Sequence, residues 1–180
     1  MIAVRAPEGS GSRRAAGGPI VREARRNVTY GYYDTGVIVL RNELFRDDAL
    51  GMLLLRRLKE LQIESVDVIE AVERQLIDYL GKYRRAIIVY SFDEMAGTEM
   101  IETQMEPGKG WSNGCRLHST KLENSLSAWL DGGSPLPEFI KVYGVPRSRS
   151  LEEGVPPRGD ETAARTRSAV NGILQTLGMA

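Results

Sequence analysis

The sequence predicts an α/β fold with three layers, αβα, around a mainly parallel, twisted sheet of about five strands. Two observations lead to this prediction: short continuous apolar runs, such as residues 37–40 and 86–90, recur along the chain, and amphipathic helical patterns separate them. Continuous apolar runs are typical of strands buried on both faces, and alternating strands and helices form parallel sheets with right-handed crossovers. A chain of 180 residues, of which 42% are hydrophobic, is long enough for one such domain.

The first half of the chain contains three strands and two helices in alternation. Residues 37–40 are the first predicted strand, and the helix after it has leucines at spacings of four, four and three residues: Leu50, Leu54, Leu58 and Leu61. Such spacings place the leucines on one helical face. The apolar pattern then predicts a second strand at 65–69, a second helix at 73–82 and a third strand at 86–90.

The second half continues the pattern with less regular spacing. A more polar segment, 98–105, is a candidate edge strand, and the glycine-rich stretch 108–114 is read as a loop. A helix near 121–130, a fifth strand at 139–145 and a closing helix at 161–177 complete the predicted domain. We find no internal repeat and no second domain.

The N-terminal residues 1–27 differ in composition from the rest of the chain. They contain six arginines and two glutamates, a net charge of +4, together with several glycines and serines. Such a composition cannot form a core. We therefore expect a basic, flexible extension before a single domain at 28–180. A basic tail is able to bind nucleic acid, but no aromatic residues are interleaved with these arginines, so this partner is not favoured.

Composition also limits the cellular setting. No apolar run approaches the roughly 20 residues of a membrane span, and the N-terminus lacks the apolar stretch of a secretory signal. The single cysteine, Cys115, excludes an internal disulfide. These features favour a protein of the reducing cytoplasm without a membrane segment.

Two adjacent aspartates, Asp47 and Asp48, lie where the first strand is followed by a helix. Ligand sites of open α/β sheets form at the carboxyl ends of the strands, and a helix N-terminus keeps a carboxylate ionised. Asp is also a favoured N-cap residue, and taken alone these side chains favour helix capping over a ligand site. The segment by itself leaves both interpretations open.

The order Asn-x-Leu-x-x-Asp-Asp-x-x-Gly, from Asn42 to Gly51, resembles the signature of the nickel-iron hydrogenase maturation endopeptidases. The resemblance extends over about residues 37–177. It implies an αβα fold and removal of a C-terminal peptide from the hydrogenase large-subunit precursor once nickel has been inserted. The implied partner is therefore the large subunit or its precursor, and the implied metal is nickel carried by that substrate.

The resemblance also implies a set of three ligands at the carboxyl edge of the sheet. Asp48 matches the first, and His118, the only histidine of the chain, matches the last, ahead of a predicted helix. In this family a strand-end Asp is the remaining ligand, and Tyr90 takes its place here. A neutral phenol is a poor substitute for a carboxylate. Asp93 is the tentative replacement, although a solvated loop that includes Glu94 is the alternative reading.

Other departures from the family pattern concern the first loop. Arg41, Arg46 and Ala49 replace glycines, which would let the backbone approach a ligand closely. The Tyr143-Gly144-Val145-Pro146 run, in contrast, fits the family. Two functions remain open: an endopeptidase in which Asp48 and His118 serve metal-assisted hydrolysis, or a non-catalytic relative that binds the large subunit or its precursor as an assembly factor.

Overall fold

Six strands form a single sheet in the structure, a computed structural model that describes residues 33–41, 49–93, 99–106, 110–111, 117, 119–131, 137–147 and 159–179. The strands are β1 (Thr35–Arg41), β2 (Val66–Val72), β3 (Arg85–Asp93), β4 (Ile101–Glu106), β5 (Gly110–Trp111) and β6 (Phe139–Arg147). Their order across the sheet is β2-β1-β3-β6-β4-β5.

The four strands β2, β1, β3 and β6 pair in parallel, whereas both pairs that β4 makes are antiparallel. Leu40 of β1 is paired with Ala71 on one side and with Tyr90 on the other, and Tyr90 in turn is paired with Gly144 of β6. β4 runs antiparallel to β6, and β5 runs antiparallel to β4. The sheet is therefore mainly parallel, with an antiparallel extension at one edge.

Helices cover both faces of the sheet. They are α1 (Ala49–Glu60), α2 (Leu76–Leu80), which follows a 3-10 turn at Glu73–Gln75, α3 (Thr120–Asp131) and α4 (Gly159–Thr176). One buried cluster joins Leu54 of α1 and Ile173 of α4 to Val39. The other joins Leu80 of α2 and Leu126 of α3 to the opposite face of the sheet. The two clusters confirm the three-layer αβα prediction.

Alternation along the strands explains why both faces are apolar. Val37 and Val39 face α1 and α4, while Ile38 and Leu40 face α2 and α3, and all four are at most 6% exposed. Successive side chains of a strand point to opposite faces, so a strand between two helical layers needs apolar residues at every position. The continuous run in the sequence follows from this arrangement.

At the amino edge of the sheet, Tyr83 joins two strands. Its ring lies over Gly36 of β1, where an added Cβ would stand 2.4 Å from the ring. Its hydroxyl donates a hydrogen bond to Asp67 Oδ2 of β2 at 2.6 Å. Only glycine leaves room for this ring, so Gly36 has a packing role.

Several predicted bounds are corrected by the structure. The second strand continues to Val72 and the third to Asp93, three residues beyond each predicted end. An additional strand, β5, lies in the segment predicted to be a glycine-rich loop. The predicted helix at 73–82 is a 3-10 turn followed by the short α2. The candidate edge strand, β4, has β5 outside it. Residues 1–27 lie outside the described residues, and within the described part no helix is long and apolar enough to cross a membrane.

Candidate functional site

The strand order creates a crevice between the carboxyl ends of β1 and β3. The chain passes from β1 to β2 on one side, whereas β3 lies on the other side of β1. Such a reversal is a topological switch point, and loops that leave two neighbouring strands in opposite directions open a crevice there. β1 ends at Arg41 and β3 ends at Asp93. These ends define the candidate site.

Two helices begin at this edge, one on each face of the sheet. α1 begins at Ala49, after the loop that follows β1. α3 begins at Thr120, and the Ser125 Oγ atom donates to Glu73 Oε1 at 3.3 Å, which holds the middle of α3 beside the 3-10 turn that follows β2. Ser119 accepts a hydrogen bond from the Leu122 amide at 3.3 Å and so caps the helix.

The predicted ligands Asp48 and His118 lie outside the described residues. Asp48 directly precedes the first residue of α1, and His118 directly precedes the Ser119 cap of α3. Both helix starts lie at the carboxyl edge that the sequence predicts for the site. The positions of the two side chains, and their separation, stay predictions.

Tyr90 is not at the end of its strand, contrary to the sequence-based prediction. β3 continues for three more residues, because Ser91, Phe92 and Asp93 pair with Val145, Pro146 and Arg147 of β6. The Tyr90 side chain is 5% exposed and belongs to the cluster under α2 and α3, with the Phe92 ring centroid 6.0 Å away. It therefore forms part of the core.

The Tyr90 ring lies over Gly144 of the neighbouring strand. A Cβ at Gly144 would be 2.7 Å from the Tyr90 hydroxyl oxygen and 2.8 Å from Cζ. Gly144, which fits the family pattern, thus makes room for Tyr90, which departs from that pattern. The volume beside Gly144 is occupied by an aromatic ring.

Asp93, the predicted replacement for the missing ligand, is the last residue of β3. It is paired in register with Arg147, the last residue of β6. Its backbone therefore reaches the carboxyl edge, three residues beyond Tyr90, and its side chain lies outside the described residues. Arg147 is 5% exposed, although it is an arginine at a strand end.

An ion pair at the same edge was not foreseen from the sequence. Arg41 Nε lies 3.2 Å from Glu70 Oε1. The contact does not have hydrogen-bond geometry, and Glu70 Oε1 is buried without another partner among the described residues. Glu70 lies just beyond the second strand predicted at 65–69, and the apolar pair Ala71 and Val72 that follows it is the sequence signal for a longer strand.

The clear pKa shifts concern groups outside the crevice. Burial, reinforced by the hydrogen bond to Asp67, raises the pKa of Tyr83 at the amino edge. Burial also raises the pKa of Tyr143, whose hydroxyl donates to the Gly172 carbonyl at 2.8 Å. Both phenols stabilise packing between elements.

Within the described ranges, no group of three or more His, Cys, Asp or Glu residues is suited to hold a metal ion. A pocket of about 640 Å³ lies at the amino edge, lined by Tyr33, by the start of β2 and by the end of α1.

Comparison with solved structures shows what the fold resembles. The chain is similar to hydrogenase 2 maturation peptidase from a Thaumarchaeota archaeon, with 23% identity and a TM-score of 0.53 over 81% of this chain and 99% of that chain. It is also similar to the hydrogenase maturating endopeptidase HybD from E. coli, with 18% identity and a TM-score of 0.43 over 75% and 93% of the two chains. The maturation protease HycI from Thermococcus kodakarensis has 17% identity and a TM-score of 0.40 over 83% and 99%.

The first of these similarities confirms the fold that the motif resemblance implies. It spans nearly the whole length of the thaumarchaeal peptidase. No protein-family model matches the sequence, and no curated protein matches it either. Function therefore has to be argued from the residues and the geometry of this chain.

Proposed function

We propose that this protein is a cytoplasmic hydrogenase maturation endopeptidase, which removes the C-terminal peptide of a nickel-iron hydrogenase large-subunit precursor after nickel insertion. The observation that carries the proposal is the agreement between motif and fold. The Asn42 to Gly51 motif begins directly after the last residue of β1, which lies at the switch point, and reaches the start of α1, in a chain that has the fold of a maturation peptidase. The shared fold alone would not identify an activity.

The chemistry we propose uses Asp48 and His118 on nickel carried by the precursor. A carboxylate and an imidazole are suitable ligands for a borderline divalent ion. A water molecule polarised by that ion would attack the scissile peptide carbonyl, and the peptide nitrogen would leave with a proton, as in metal-assisted hydrolysis. Asp93 would supply the second carboxylate, because Tyr90 cannot.

A second function is supported by the environment of Tyr90. Its phenol is in the core, over Gly144, where the family has a ligand carboxylate. A chain without that carboxylate would still be able to dock on the large subunit or its precursor. The alternative is therefore a non-catalytic assembly factor with the same partner.

The test is incubation of the purified chain with a nickel-loaded large-subunit precursor, followed by mass spectrometry of the precursor. Loss of the C-terminal peptide is expected with the native chain and not with Asp48→Ala, His118→Ala or Asp93→Ala. Glu64→Ala is the matched control, because Glu64 is an acidic residue beside the pocket at the opposite edge of the sheet. Stable co-purification with an uncleaved precursor would instead support the assembly factor, and neither binding nor cleavage would exclude both.

A further inference from the structure

Arg41 is the last residue of β1 and lies at the switch point. It is the next residue along β1 after Leu40, whose register partners are Ala71 of β2 and Tyr90 of β3. By alternation it shares a face with Val37 and Val39, and this is the face that α1 covers. A positive side chain is thus placed at the crevice, on the side where α1 begins.

Glu70 orients this arginine from one side. Its register partner is Val39, so Glu70 and Arg41 lie on the same face, and Glu70 Oε1 faces the Nε atom of Arg41 at 3.2 Å. Side-chain exposure is 57% for Arg41 and 34% for Glu70. A carboxylate on the Nε side does not itself cover the far edge of a guanidinium group, which carries donors in a fixed fork geometry.

We propose that Arg41, positioned by Glu70, binds a carboxylate group of the polypeptide that enters the crevice. A guanidinium fork forms two parallel hydrogen bonds with a carboxylate, and such charge-assisted pairs are among the stronger ones in proteins. The identity of the polypeptide rests on the proposed function, in which it is the C-terminal segment of the precursor. The carboxylate belongs either to an acidic side chain or to the chain terminus of that segment.

A contribution to folding stability does not explain the ion pair between Arg41 and Glu70. Exposed ion pairs add little to stability, because water screens them and ordering two long side chains is unfavourable. Glu70 nevertheless keeps one oxygen buried without a well-formed hydrogen bond. An arrangement that contributes little to stability, yet fixes the direction of an exposed guanidinium at a switch point, is typical of a binding group held in place by a neighbour.

The test is a nuclear magnetic resonance titration of the full-length, 15N-labelled chain, with the Nε–H resonance of Arg41 as the readout. The probes are N-acetyl-triglycine as the free acid, N-acetyl-Gly-Asp-Gly as the amide, and N-acetyl-triglycinamide as the uncharged peptide. We expect saturable shifts with one or both acids and none with the uncharged peptide. A response to the free acid alone assigns the carboxylate to a chain terminus, and a response to the aspartyl peptide alone assigns it to a side chain.

Variants separate the specific contact from general charge attraction. Arg41→Gln should weaken binding of the acid by about tenfold or more, and Arg41→Lys by nearly as much, since an ammonium group lacks the planar fork. For these variants the readout is the shift of backbone amides at the end of β1. Arg84→Gln is the matched control, because Arg84 is a half-exposed arginine paired with Asp34 at 2.8 Å at the opposite edge. It should bind as the native chain does.

Glu70→Gln tests the positioning role. It should weaken binding several-fold while Arg41 keeps its charge, and the unfolding midpoint should change little. Unchanged affinity in Glu70→Gln would remove the positioning role. Absence of saturable binding, equal losses in the Arg41 and Arg84 variants, or tighter binding of inorganic phosphate than of either acid would overturn the proposal.

The precursor cleavage assay separates this inference from the proposed function. Cleavage of the precursor by Arg41→Gln at the native rate and KM would refute the inference while the proposed function stands. Binding of the acid by native Arg41, in a chain that neither cleaves nor binds the precursor, would refute the proposed function while the contact stands. For Arg41→Gln we expect a raised KM for the precursor with little change in kcat.

Discussion

The hydroxyl oxygen of Tyr90 lies 2.7 Å from the point that a Cβ atom would occupy at Gly144, on the neighbouring strand β6. Contacts this short do not occur between real atoms of this kind, so the ring and the missing side chain are mutually dependent. The pair fills the α2 and α3 side of the sheet just below the strand ends. Substitution of either residue should therefore be felt by the other.

Gly144→Ala should destabilise the protein by about 1–3 kcal/mol, because the added methyl group overpacks the core against a rigid ring. In a Tyr90→Leu background the same substitution should have a smaller effect, since leucine does not reach over Gly144. Urea unfolding of the four chains of this double-mutant cycle gives the coupling free energy. Strictly additive effects would contradict the contact.

Tyr90→Asp should destabilise the protein more at pH 7 than at pH 5. Burial raises the pKa of a carboxyl group above its unfolded value of about 3.9. The folded form then holds more protons, so stability falls as the pH rises through the interval between the two pKa values. We also expect no gain in nickel affinity by calorimetry, because residue 90 faces the core. Tyr90→Asn, whose side chain has the shape of aspartate but no charge, should show no such pH dependence. Equal pH profiles of stability for the two variants would refute the prediction.

Stability should decline at alkaline pH partly through Tyr83. Burial and the bond to Asp67 raise the pKa of Tyr83 above the unfolded value of about 10. Its contribution is therefore complete below pH 10 and is lost as the pH rises through the folded pKa. Tyr83→Phe should lose about 1 kcal/mol at neutral pH and show a shallower decline above pH 10 in denaturant unfolding. Tyr79→Phe is the control, and identical alkaline slopes for Tyr83→Phe and the native chain would be the contrary result.

The cap of α3 should be worth about 1 kcal/mol. Ser119→Ala removes the acceptor for the Leu122 amide, so the unfolding midpoint should fall. Ser119→Asp keeps an acceptor at the helix N-terminus and should retain most of the stability. If Ser119→Ala has the same unfolding midpoint as the native chain, Ser119 does not define the start of the helix that follows His118.

The centre of the sheet could be predicted from the sequence because its physics is local. β1, β3 and β6 lie between helical layers, so apolar residues occur at consecutive positions, and the leucine spacing of α1 follows from its single buried face. The exact ends of the strands were not predicted, because backbone pairing with a neighbouring strand extends a strand through residues whose composition is typical of a loop. Ser91 to Asp93 look like a loop but remain in β3 through β6, and Gly110–Trp111 are too few residues to carry a period.

The sequence predicts the edge of the sheet for the candidate site, whereas it does not predict the side-chain contacts along that edge. A strand followed by acidic residues and a helix indicates the switch-point edge without knowledge of strand order. The contact of Tyr90 with Gly144, and that of Arg41 with Glu70, each join different strands. Neither follows from local pattern, since register decides which side chains meet.

Hydrogen bonds attach the last helix, α4, to β6 at two separate points. Arg165 donates to the Pro146 carbonyl at 2.9 Å, and Tyr143 donates to the Gly172 carbonyl at 2.8 Å. Separation of α4 from the sheet therefore requires that both attachments break in one event. The amide hydrogens of α4 and β6 should then exchange with solvent through a shared opening, so that α4 and the strand that ends at Arg147 form one cooperative unit.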